Sequence, residues 1–297
     1  MPAAVSIDGV LVPAGQARVP VLDRGFLYGD SVYEVVRTYG LEPFEVGAHL
    51  ARLAASASRI GLELPWDARR LEAEIRRVVQ ASRGEDPPEP DAAPWNRGER
   101  TIRVVVTRGS GEMGLDPALA TAPLVVVLVL PLRGPAASAY REGVAAWPVG
   151  ARRGGDPAAK TGEHLFHVLS VREAARHQAH EALLVDGQGC VTEGASSNVF
   201  AVEGGVLVTP PLQVGILAGV TRALVIDIAR AAQVPVREEP LPLPALLRAD
   251  EAFLTSTARE LLPLTRVGEG TVGSGAPGPV TRRLHQAFRE FASGATS

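Results

Sequence analysis

Lys160 is the sole lysine among 297 residues; every other member of the 30 Lys and Arg side chains is arginine. Arginine cannot replace it in covalent chemistry. A guanidinium stays protonated and is a poor nucleophile, whereas a desolvated lysine amine loses its proton near neutral pH and condenses with a carbonyl. Lys160 is therefore a candidate Schiff-base residue. The competing reading is a surface lysine left over from codon bias toward arginine.

An amine of this kind suits pyridoxal 5′-phosphate held as a Lys160 aldimine. Such a site needs an acid against the pyridine nitrogen, an anion hole for the phosphate, and room for substrate. Glu193, in the segment Val191-Thr192-Glu193-Gly194-Ala195-Ser196-Ser197-Asn198, can supply the acid, although one glutamate among many also reads as a solvated loop residue. Phosphate favours helix N-termini, where free N–H groups converge. Gly219-Val220-Thr221-Arg222 precedes an apolar-periodic run, Ala223 to Ala231. Thr255-Ser256-Thr257-Ala258-Arg259-Glu260 follows a strand, with Thr257 and Glu260 at capping-box spacing. Both read as helix starts, and ordinary caps look the same.

Two other motifs invite different chemistry. Gly109-Ser110-Gly111-Glu112-Met113-Gly114 fits G-x-G-x-x-G, but Leu115-Asp116-Pro117 and a strand from Leu124 leave no room for the helix a dinucleotide site needs. His164 and His167, and His177 and His180, are paired at i, i+3 spacing. The two pairs lie over three helical turns apart, too far to share an ion, so no metal is expected.

The elements that must position these residues are legible in outline. Asp8-Gly9 between apolar runs predicts a hairpin over Val5 to Val12, and VYEVVRTY predicts a strand from Val32 to Tyr39. Helices are expected over His49 to Ile60, after Asp67, over Glu163 to Ala179, near Thr221, near Leu243 to Arg248, and over Val280 to Phe291. Further strands are expected at Thr101 to Thr107, Leu124 to Leu130, Glu181 to Asp186, and in a hairpin, Asn198 to Val202 with Val206 to Thr209. Arg83 to Glu99, proline-rich and charged, should be an exposed loop. This order predicts an α/β protein of two mixed domains, 1–130 and 139–297, joined by a linker at 131–138.

Net charge −3 with scattered arginines gives no nucleic-acid footprint, and LVVVLVL (Leu124 to Leu130) is too short to span a membrane. One cysteine, Cys190, and an N-terminus without signal-peptide character lead to the expectation of a cytoplasmic protein.

Read together, the motifs resemble the fold-type IV pyridoxal-phosphate enzymes. That class holds branched-chain and D-amino-acid aminotransferases, (R)-amine transaminases and aminodeoxychorismate lyase. The resemblance runs through Asp23-Arg24-Gly25-Phe26-Leu27-Tyr28-Gly29-Asp30 with Val32-Tyr33-Glu34, His49-Leu50-Ala51-Arg52-Leu53, and Thr107-Arg108-Gly109. It continues through Lys160, Thr192-Glu193-Gly194, Ser197-Asn198-Val199-Phe200, Gly219-Val220-Thr221-Arg222, and Thr255-Ser256-Thr257 with Glu260.

The resemblance implies a homodimer with the cofactor between the two domains of each chain. It implies Lys160 as aldimine and proton carrier, Glu193 at the ring nitrogen, and Arg52, Val220, Thr221, Ser256 and Thr257 around the phosphate. Tyr33, Glu34, Arg108 and Ala258 fall on the substrate side. His164 stands where branched-chain enzymes place a tyrosine near the cofactor's phenolic oxygen. The D-amino-acid enzymes bind the substrate carboxylate with a tyrosine, an arginine and a histidine; Tyr33 and Arg108 match two of these, and no histidine lies between Arg108 and Lys160. The implied reaction is ping-pong transfer of an amino group from a D-amino acid, branched-chain L-amino acid or (R)-amine to a 2-keto acid. The rival is pyruvate-releasing lyase chemistry, against which Glu34 and Thr255-Ser256-Thr257 speak.

Overall fold

The computed structural model describes residues 3–84, 90–151 and 156–294. The first six strands form one sheet: β1 (Ala4–Ile7), β2 (Val10–Pro13), β3 (Ser31–Tyr39), β4 (Glu42–Pro43), β5 (Arg100–Gly111) and β6 (Ala120–Pro131). Their order is β2-β1-β6-β5-β3-β4, antiparallel throughout. Asp8 and Gly9 both take positive φ, +47° and +84°, the backbone that a tight two-residue hairpin turn requires. One sheet face is apolar by period-2 alternation. Val32 and Val36, Ile102, Val104 and Val106, and Val125, Val127 and Val129 all point at helices α2 (Val46–Arg59) and α3 (Ala68–Ala81). Leu53 of α2 has no exposed surface, and trimming it to alanine would cost roughly 2–5 kcal/mol.

The segment between the first hairpin and β3 is a short capped turn. Asp23 accepts from the N–H groups of Gly25 and Phe26 at the start of α1 (Arg24–Tyr28), and Gly29 ends it in the left-handed region at φ +71°. This fixes the direction from which the chain enters β3.

The second sheet uses β7 (Val144–Gly150), β8 (Glu181–Val185), β9 (Cys190–Gly194), β10 (Asn198–Glu203), β11 (Val206–Thr209), β12 (Val236–Glu238), β13 (Leu241–Pro242), β14 (Glu251–Ser256), β15 (Glu260–Val267) and β16 (Gly270–Thr271). Its order is β12-β11-β10-β14-β15-β7-β8-β9-β13, with β16 against β15. β7 and β8 are parallel, joined through α5 (Leu165–Arg176), and β11 and β12 are parallel, joined through α6 (Val220–Ala231). Between the sheets in sequence lies α4 (Ala137–Glu142); α7 (Leu243–Arg248) and α8 (Pro279–Gly294) complete the helices among the described residues.

Two expectations need correction. Thr255 to Glu260 starts no helix: Ser256 pairs with Glu260 as β14 turns directly into β15, because Glu260 to Val267 is an apolar run that completes the sheet beside β14. Between β6, which ends at Pro131, and α4, which begins at Ala137, residues 132–135 form neither helix nor strand. The proline-rich loop is not simply exposed either. Trp95 packs edge-on against Tyr140 and His285 and lies under Arg289, which docks the Pro94–Asn96 turn, with Asn96 buried, against the second half of the chain. Residues 85–89 of that loop lie outside the described residues.

Candidate active site

β3 builds the site with both of its faces. On the helix side Glu34 has no exposed surface and accepts from Arg52 Nε at 2.6 Å and Nη2 at 2.8 Å, with His49 Nδ1 at 2.8 Å. Burial alone would raise this carboxyl's pKa; the hydrogen bonds and charges of Arg52 and His49 outweigh it and hold it at about 2. The ionised carboxylate clamps the guanidinium as a fork, leaving Nη1 to donate to the Ala218 carbonyl at 2.8 Å. Glu34, expected on the substrate side, is therefore a support behind Arg52: strand alternation turns it away from Tyr33, and its oxygens are already taken.

The opposite face presents Tyr33. The Lys160 Nζ lies 4.5 Å from the Tyr33 ring centroid, Arg103 Cζ lies 4.2 Å from it, and the His164 ring meets it edge-on at 4.8 Å. Arg103 also donates from Nη2 to His164 Nε2 at 3.2 Å, which places the imidazole proton on Nδ1. Burial, then the positive charges of Arg103 and Lys160, push the His164 pKa down to about 4, so the ring is neutral at neutral pH. Arg103 has no carboxylate partner among the described residues.

Lys160 is held by its backbone. Its N–H donates to Ser56 Oγ at 3.0 Å, its carbonyl accepts from the Tyr33 N–H at 3.0 Å, and Thr161 bridges to Val32. Gly162 permits this approach, because a Cβ there would sit 2.3 Å from Ser31 Oγ. His49, Arg52 and Ser56 occur at i, i+3 and i+7 on α2, so one helix face serves the lysine loop and the anion arm together.

Glu193 closes the far side on β9. Burial raises its pKa to about 8 against the opposing N–H of Leu217, 3.2 Å from Oε2, and the attraction of Lys160. Segment 217–219 thus touches Glu193 through Leu217 and Arg52 through Ala218 as it runs into the α6 N-terminus at Val220 and Thr221. Asn198 ties this segment to the turn carrying Ser256, Thr257 and Ala258. It donates to the Leu217 carbonyl, abuts Gly219 so closely that a Cβ there would meet its Oδ1 at 2.0 Å, and pairs with Thr255 across β10 and β14.

Arg108 does not join this group. Its side chain lies on the α2 side of β5, bonded to Asp30 at 2.8 Å and to the carbonyls of Ile60 and Gly61. The strand's period of two carries even-numbered Arg108 to the helix face and odd-numbered Arg103 to the site face, opposite Val35 and next to the Tyr33–Val105 pair.

The family model for class IV amino-transferases matches residues 31–267. This chain is a class IV aminotransferase. The D-alanine aminotransferase of Bacillus licheniformis is 31% identical over 285 residues, 96% of this chain and 95% of that one. The branched-chain amino acid aminotransferase of Escherichia coli superposes with a TM-score of 0.87 at 31% identity, over 98% of this chain and 95% of that one. The branched-chain amino acid aminotransferase of Thermoproteus uzoniensis, solved with norvaline, gives 0.86 at 31% identity over 98% and 95%. A further branched-chain aminotransferase, solved with N-(5′-phosphopyridoxyl)-L-glutamate, gives 0.87 at 29% identity over 98% and 94%.

The donor set in this aminotransferase fits pyridoxal phosphate. It offers one primary amine, one buried acid that keeps its proton to about pH 8, and a clamped arginine beside a helix N-terminus suited to a dianion. Sequence reasoning missed Arg103, Asn198 and Ser56. For Arg103 the signal was available in the alternation of Thr101 to Thr107 against Val32 to Tyr39. For Ser56 it lay in the spacing from Arg52. Asn198 carries no local signal of its role, since its contacts depend on how β10 pairs.

Proposed function

We propose that this aminotransferase uses pyridoxal 5′-phosphate bound through Lys160 to move an amino group between an α-amino acid and a 2-keto acid in a ping-pong cycle. When bound, the cofactor's pyridinium ring draws off the electron pair left at Cα as its proton departs. Glu193, as a carboxylate, would accept the ring N–H and so keep that nitrogen protonated. Lys160 carries the proton across the face toward Tyr33, as general base and then general acid. His164, with its pKa pushed down to about 4, is too weak a base to take that proton. Arg52, the α6 N-terminus and the Thr257 turn hold the phosphate dianion.

One observation carries the choice of substrate class. Arg103, half-buried and without an acidic partner among the described residues, shares the Tyr33 ring with Lys160. A fixed cation at that place suits a substrate carboxylate. This supports amino acids, D-configured or branched-chain L-configured, over simple (R)-amines, and it takes the role expected for Arg108. Exposed apolar side chains around Val21, Phe26, Met113 and Leu115 support a second copy of the chain as the partner, and a cytoplasmic homodimer is the proposed form.

The test is a single-turnover comparison of D-alanine, L-leucine and (R)-1-phenylethylamine with wild type and Arg103→Gln. The expected result is that amino acids react with wild type and lose rate in the variant, while the amine stays slow in both. Preference of wild type for the amine would overturn the proposed substrate class. Release of pyruvate from aminodeoxychorismate without an acceptor would replace transamination with lyase chemistry.

A further inference from the structure

The turn bearing Thr257 ends on a residue that the chemistry above does not use. Glu260 has no exposed surface and sits at φ +54°, a left-handed backbone unusual for a glutamate and costly unless its surroundings hold it there. Its carboxylate is fully engaged. Oε1 accepts from Arg37 Nη1 at 3.0 Å and from the Tyr39 hydroxyl at 2.7 Å, while Oε2 lies 2.7 Å from His285 Nε2. Arg37 is itself buried, donates to the Trp95 carbonyl, and lies over the Tyr39 ring at 4.1 Å.

The partners come from separate elements. Arg37 and Tyr39 are on β3, on the face that carries Tyr33, and His285 is on α8. The same turn is tied at its other residues: Tyr140 donates to the Arg259 carbonyl at 3.0 Å, and the Arg259 side chain donates to Glu181 and Ser196. β3 therefore reaches the two phosphate-binding arms by separate routes. Glu34 fixes Arg52 on one face, and Arg37 and Tyr39 fix the Thr257 turn on the other through Glu260. With the left-handed backbone at Glu260, the carboxylate contacts determine where the turn sits relative to Arg52.

We propose that Glu260 is a positioning residue for cofactor affinity: it docks the Thr257 turn of the second sheet against β3 of the first, so that the two arms of the phosphate site close on the same anion. The proposal rests on the pyridoxal-phosphate reading above. It places the effect of Glu260 in cofactor retention, since its side chain contacts neither Lys160 nor the residues around Tyr33 other than those of β3 that it anchors.

Titration of full-length apoprotein with pyridoxal 5′-phosphate, and separately with inorganic phosphate, tests it alongside a urea melt of each apoprotein. Glu260→Gln keeps the shape and removes the charge. It should weaken both ligands on the order of tenfold to a hundredfold, the range commanded by partners behind ligand-holding side chains in metal sites. Activity should return toward wild type as pyridoxal phosphate is raised to saturation, with KM for the amino donor little changed. Tyr39→Phe removes one hydroxyl and retains the aromatic packing, so it provides a mild variant that should shift both affinities in the same direction. Variants that melt earlier yet bind both ligands as wild type does would overturn the proposal and leave Glu260 a purely structural residue. Wild type that takes up no pyridoxal phosphate at all would instead overturn the cofactor reading, and this inference with it.

Discussion

Replacing Glu193 with glutamine removes the one acid of the site whose proton is retained into the neutral range. Burial lifts this carboxyl from an ordinary 4.5 to about 8. A native pKa above the unfolded one means that the folded apoprotein keeps a proton the unfolded chain releases. The associated stability is fully present below pH 4.5 and is lost as pH rises through 8. At 1.36 kcal/mol per decade, the loss is about 3 kcal/mol at pH 7 and on the order of 5 kcal/mol above pH 8. Glutamine has the same shape and no titration. Urea midpoints of the two apoproteins should therefore agree near pH 4.5 and diverge with rising pH, the glutamine variant becoming the more stable. With pyridoxal phosphate bound the order should reverse, because an ionised Glu193 then has a ring N–H to accept. A stability difference that does not change between pH 5 and 9 would refute the claim that burial governs this acid.

Lys160→Arg should keep the fold and abolish the absorbance near visible wavelengths that an imine gives, with no covalent tag after borohydride reduction and transamination at background. Arg103→Gln should raise KM for amino-acid donors by about tenfold or more, a loss of roughly 1.5–3 kcal/mol for a charge-assisted carboxylate contact, with little change in cofactor affinity; Arg108→Gln should instead show in thermal stability, its contacts being with Asp30 and the end of α2. Glu34→Gln leaves Arg52 without its fork, so the dissociation constant for pyridoxal phosphate should rise, measured by fluorescence titration, while the Tyr33 side of the site is undisturbed. Gly162→Ala should lower stability by about 1–3 kcal/mol, because the new methyl meets Ser31 Oγ and the Gly29 carbonyl.

Much of the molecule could be read from local pattern. The hairpin at Asp8-Gly9 follows from two residues that tolerate positive φ. The helix face with His49 and Arg52 follows from a period of 3.6, and β3 and β5 follow from β-branched alternation. Lys160 stood out because the chain uses arginine everywhere else; Glu193 and Thr221 by themselves read as a loop acid and an ordinary helix cap, and their roles come from the resemblance carried by the motifs together. These are properties of short segments, and their physics acts within a few residues.

What tertiary structure alone decided is the direction and company of each side chain. Arg108 and Arg103 are five residues apart on one strand; alternation places them on opposite faces, but only the pairing of β5 with β3 brings the second beside Tyr33 and Lys160. The capping-box spacing of Thr257 and Glu260 is genuine, yet β14 and β15 use those residues for a turn, since completing a sheet releases more apolar surface from water than one helical cap could offset. Glu260 finds Arg37 across more than two hundred positions of chain. Contacts of that range depend on how two sheets meet, and no periodicity within either segment carries that information.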